Sequence, residues 1–231
     1  MGVSCPERQG CSAERIWYAA CTTLGIPEAD DPWKKIVEAS PPDSIWHSLR
    51  NCVAYQAGVW QNLITKGIDD VMQPAAFKLA IVLRHTPTED CAKLMSELLK
   101  THPVSVQEEL TSYCVSLLTD DEARRCACWQ SGPSGPPAPL RDLLLYGDLE
   151  LAILAASREE YDAHAKLVRA EYSKLTQDNY VELRIKVLNQ FSQIPKLFHS
   201  PEFACFEPAA RENIEREICT LREHLLTGRK D

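Results

Sequence analysis

The sequence predicts an all-α protein folded as a single helical bundle, and three observations predict it. Apolar residues recur at steps of three and four through most of the chain, the spacing that lines one face of a helix. Ser, Thr or Asp stands where many of these runs begin and Gly or Pro where they stop, which are start and stop signals for helices. Alternating runs of Val, Ile, Thr and Tyr, the mark of strands, are scarce. The 231 residues are 45% hydrophobic and 25% charged, an ordinary globular balance with enough chain for a sizeable core.

Residues 1–11 are expected to form a disordered lead-in to one domain over 12–226. A first helix starts near Ser12, whose hydroxyl can cap the free amides ahead of Ala13 and Glu14. Ile16, Trp17, Ala20 and Leu24 carry its apolar face until Gly25-Ile26-Pro27 stops it. Trp33, Ile36 and Val37 imply a short helix that ends before Pro41-Pro42. A longer helix is expected from about Asp43 to Thr65, closing near Gly67, and another from Val71 to Arg84. Thr88, with Glu89 and Asp90 behind it, marks a fresh start. Helices over about 88–100 and 104–119 complete the first half. Residues 127–139 hold four prolines and two glycines and read as a flexible loop inside the domain.

The C-terminal third has the clearest periodicity. Ser157-Arg158-Glu159-Glu160 is a capping box, in which Ser and Glu each satisfy an amide of the helix start. Tyr161, Ala165, Val168, Tyr172 and Leu175 follow as an apolar stripe, and Tyr180, Leu183, Val187, Phe191 and Ile194 repeat it. Ser200-Pro201-Glu202 is expected to start a last helix, carried by Ile214, Ile218, Leu221 and Leu225 as far as Gly228. Each stripe must bury itself against another helix, which makes a bundle.

Composition excludes several function classes. The net charge of −8 argues against nucleic-acid binding, which needs a basic face to displace counterions. No run approaches a membrane span, and the polar N-terminus lacks the apolar core of a secretory signal, so a cytoplasmic protein is expected. The ten cysteines show no framework spacing and read as reduced thiols, most of them small core residues. Cys126 and Cys128 form a CxC pair with no second ligand pair at zinc-site spacing. Phosphate loops, dinucleotide fingerprints, HExxH and GxSxG are all absent.

A helical protein can still build a metal site from His and Asp projected off facing helices. His47 lies in Ile45-Trp46-His47-Ser48-Leu49, and His85 ends the apolar run that starts at Leu79. Asp148 stands beside the apolar run 149–156, where a carboxylate needs a cation, a metal or backbone donors. His164, His199 and His224 read as surface or cap residues.

The segment from Asp148 through Leu154, followed by Tyr161, Arg169, Glu171, Tyr172, Tyr180, Arg184, Val187 and Leu188, resembles the predicted metal-dependent HD-superfamily phosphohydrolases. The resemblance covers about residues 143–225. It implies a bundle of the HD-domain type and a site for one divalent metal (Mn, Fe, Co, Ni or Zn). Its metal ligands fall on His47, His85 and Asp148, and Arg169 and Arg184 become candidates for binding phosphate. The chain departs from the family in its first half: Asn51 replaces a His, and Thr86 replaces the Asp of the doublet that names the superfamily. A one-residue shift of that alignment would remove His85 from the set.

The resemblance thus implies a weakened or inactive relative, with or without a metal, kept for binding a phosphorylated small molecule or a protein partner. The alternative is an active divergent hydrolase of a nucleotide or other phosphate ester, with a metal lowering the pKa of its bound water. The same residues also have structural readings. His47 becomes a buried His bonded to backbone, His85 a cation at a helix C-terminus, and Asp148 the cap of a helix starting at Leu149. Arg169 and Arg184 become ion pairs with Glu171 and Glu150, and Tyr161, Tyr172 and Tyr180 become core aromatics.

Overall fold

The computed structural model describes residues 12–39, 43–119 and 137–227. The expected lead-in over 1–11, the CxC pair and most of the 127–139 loop lie outside the described residues. Within them the chain is all-helical, with no strand and no helix long and apolar enough to cross a membrane. By its contacts the chain divides into two compact units, Met1–Pro41 with His47–Pro139, and Pro42–Trp46 with Leu140–Asp231.

The N-terminal unit contains α1 (Ser12–Thr23), α2 (Asp30–Ala39), α3 (Ala54–Thr65), α4 (Pro74–Val82), α5 (Thr88–Leu98) and α6 (Val104–Thr119). Its centre is α4, which begins with Pro at its permitted first turn and buries every residue from Ala75 to Leu83 except Lys78. α1 and α6 both pack on it, and Trp60 of α3 meets Phe77 with ring centroids 4.6 Å apart. Gly25 and Gly67 adopt φ of +66° and +74° where the sequence stops α1 and α3, a region that L side chains avoid.

The helix expected from Asp43 begins only at Leu49, as a π-helical turn (Leu49–Val53) closed by Val53 N–H donating to the Ser48 carbonyl, and runs on into α3. Residues 43–46 are held elsewhere. Ile45 N–H donates to Glu171 at 2.8 Å, Lys174 pairs with Asp43, and the buried Trp46 ring lies 4.2 Å from His164. These contacts hold residues 43–46 as a turn and bends rather than as the first turns of a helix.

The C-terminal unit contains α7 (Leu140–Leu151), a 3-10 turn (Ala152–Ala155), α8 (Arg158–Glu171), α9 (Gln177–Gln193) and α10 (Glu207–Thr227). The capping box at Ser157 forms as the sequence predicts, with Ser157 Oγ accepting from Glu160 N–H and the Glu160 carboxylate accepting from Ser157 N–H. Two expectations need correction. The last helix starts at Glu207 rather than at Ser200, because residues 201–206 form a turn and a 3-10 turn (Ala204–Phe206) ahead of it. The buried face of α9 is Tyr180, Val181 and Leu188, with Leu183 and Ile194 exposed, because Arg184 takes the face between Tyr180 and Leu188.

Candidate functional site

In the N-terminal unit, two turns bring His47 and His85 together. After Leu83 the helix α4 gives way to a turn closed by Thr86 N–H donating to the Leu83 carbonyl, and this lifts His85 to the surface. His47 precedes the π-helical turn, a local form often found at functional sites. The two imidazoles stand edge to face, centroids 5.8 Å apart and planes at 86°. Both residues are exposed, so the expectation that His47 is buried does not hold. The rings border a small pocket whose apolar wall is Ile36 and Ala39 of α2 with Leu49, Val82 and Pro87. Ser48 and Thr86 complete the lining with hydroxyl groups. Thr86, which the resemblance pairs with the doublet Asp, carries a neutral hydroxyl.

Asp148 belongs to the C-terminal unit and lies on the buried face of α7, 2% exposed. Its two oxygens accept from His199 N–H at 2.9 and 3.0 Å, and from Ser200 N–H and Ser200 Oγ at 2.6 Å each. Burial pushes the carboxyl pKa up, and these donors pull it back without cancelling the rise. Asp148 therefore does not cap a helix starting at Leu149. It caps the turn at 199–200, as an Asp caps a helix, but from a different element. Among the described residues no three His, Cys, Asp or Glu side chains are grouped to hold a metal ion. His47 and His85 face each other at the pocket, and the Asp148 carboxylate is engaged by the amides of His199 and Ser200.

Arg184 and Arg169 are likewise engaged. Arg184 grips Glu217 of α10 with two hydrogen bonds, at 2.8 and 3.0 Å, and both side chains are nearly buried. Burial works against the Arg184 charge, but Glu217 outweighs it and leaves the pKa raised. Glu217 also accepts from Tyr161 O–H at 2.6 Å, and burial together with that carboxylate drives the phenol pKa far up. Arg169 donates to Gln177 and to the carbonyls of Tyr172 and Leu175, with its guanidinium over the Tyr180 ring. It joins the C-terminus of α8 to the start of α9. The ion-pair reading holds for Arg184 with Glu217 as its partner, in place of Glu171 or Glu150. Of the three tyrosines, Tyr161 and Tyr180 are core, and Tyr172 is 40% exposed.

His164, expected as a surface or cap residue, is instead buried, 5% exposed, between Trp46 and Tyr161. Its position was legible in the stripe itself, because residues 161, 164 and 168 lie on one helical face. No family model, curated protein or solved structure matches this chain.

Proposed function

We propose that the chain is a helical protein of the HD-phosphohydrolase type that has given up hydrolysis and binds a phosphorylated small molecule at the His47–His85 pocket. One observation carries the reading: the two histidines named by the resemblance face each other at a pocket, while the carboxylate named with them accepts four hydrogen bonds from His199 and Ser200. A hydrolase of this type needs a metal held firmly enough to lower the pKa of its water. Two imidazoles and the Thr86 hydroxyl are a poor set for that, because a neutral hydroxyl is a weak donor to a divalent cation.

The imidazole pair also favours a second reading, an active divergent hydrolase that recruits His47, His85 and Asp148 to one metal. Elemental mass spectrometry of purified tag-free protein, with His47→Ala and Asp148→Ala alongside, separates the two. The binding reading expects no stoichiometric metal that both substitutions remove, and no phosphatase turnover above that of the His47→Ala variant. Near-stoichiometric Mn, Fe, Co, Ni or Zn lost in both variants, with turnover, would establish the hydrolase instead.

A further inference from the structure

Residues 43–46 form a short arm that packs away from its neighbours in sequence. By its contacts the arm belongs to the C-terminal unit, while the chain on both sides of it belongs to the N-terminal unit. Its partners lie along α8 in reverse order. Asp43 pairs with Lys174 just beyond the end of α8, Ile45 N–H donates to Glu171 at that end, and the Trp46 ring meets His164 two turns nearer the start. His164 in turn packs edge-on against the buried Tyr161. Tyr161, His164 and Glu171 share one face of α8, so the arm runs antiparallel to a socket for one large ring and one main-chain amide. A buried Trp is a typical anchor at protein interfaces.

Beyond the arm the chain enters the π-helical turn Leu49–Val53. Trp46, Leu49, Val53, Ala57 and Trp60 follow at helical steps, so the sequence period runs without a break from the arm into α3. The fold instead ties Val53 N–H to the Ser48 carbonyl, five residues back. Such turns are rare and recur at functional sites. Rewinding this one to α-helical register gives its amides new acceptors four residues back, so the turn serves as a hinge when the arm leaves.

We propose that the arm is an exchangeable link between two copies of this chain, residues 43–46 of each copy seating along α8 of the other. The occupant is a second copy because the socket fits this segment contact by contact, and an exchanged arm remakes in trans the contacts it gives up. Exchange then costs chiefly the freedom lost on association, and concentration drives it. The link is independent of what the histidine pocket binds.

The test incubates the full chain at rising concentration in urea below its unfolding midpoint, returns it to buffer, and sizes it by light scattering. While monomer predominates, the dimer share is expected to rise about tenfold for each tenfold rise in concentration. Deuterated chains carrying protonated Trp are also mixed, before the incubation, with deuterated chains carrying protonated His. A nuclear Overhauser cross-peak between Trp46 and His164 then arises only between chains, and it is expected in the dimer. Trp46→Ala should abolish the dimer, and the cross-peak in the unsubstituted chain decides the matter if that variant does not fold. A chain that stays monomeric throughout would overturn the proposal. So would a dimer that lacks the cross-peak or persists in folded Trp46→Ala, because another surface would then join the copies.

Discussion

At the scale of single residues, the charged side chains singled out in the C-terminal unit act as structural parts. Asp148 receives two backbone amides and a hydroxyl on its two carboxylate oxygens. An amide offers one acceptor oxygen, and its NH2 would face N–H donors. Asp148→Asn is therefore expected to cost about 2 kcal/mol of stability, measured by urea unfolding, and to leave anion binding at the histidine pocket unchanged. The Arg184–Glu217 pair has the same character in a drier setting. Removing either partner leaves a buried charge without its counterion, so Arg184→Met or Glu217→Gln should each cost about 3–5 kcal/mol. The double variant should cost clearly less than the sum, and a double-mutant cycle in urea reads that difference directly. A strictly additive result would mean that the two side chains do not act as a pair.

At the scale of elements, the segment from Ile194 to Glu207 shows how a helix start moves along the chain. Leu197 and Phe198 donate their amides to Glu207, and the next two amides go to Asp148, so residues 197–200 are held in place while 201–206 turn ahead of α10. Arg211, one turn along, pairs with Glu207 and donates to the carbonyls of Phe191 and Ile194. Burial alone would raise the Glu207 carboxyl. The two amides and Arg211 outweigh it and hold the pKa below its ordinary value of 4.5. A depressed folded pKa contributes stability that is present above the unfolded value and is lost as pH falls through the folded one. Stability should therefore decline below about pH 4.5, and Glu207→Gln should reduce that decline in thermal melts between pH 3 and pH 7. The segment 43–46 is a second such element. Trp46→Ala removes a buried indole from against His164 and is expected to cost about 3–5 kcal/mol, read by urea unfolding.

At the scale of the whole molecule, the cysteines report on the core. Cys21, Cys52, Cys91 and Cys114 are buried, and Cys205 and Cys219 are exposed. Burial pushes the thiols of Cys21 and Cys91 up to about 11 and raises Cys114 as well, so the reactive thiolate is scarce at all three. Brief alkylation of the native protein at pH 8, with peptide mapping, should label Cys205 and Cys219 well before those four. Urea should remove the difference.

The all-α class, the helix starts at Ser12, Thr88, Val104 and Arg158 and the capping box were legible in the sequence, because propensity, period and cap chemistry act between residues a few positions apart. His164 was legible too, by the spacing that places it with Tyr161 and Val168. What only the tertiary structure decided is which charged group meets which partner. Asp148 and Ser200 are 52 residues apart, and Arg184 and Glu217 are 33 apart. Nothing local distinguishes Glu217 from Glu171 or Glu150 as the partner of Arg184. A buried charge takes whatever counter-group the packing of helices brings within reach, and that is settled only when the helices are in place.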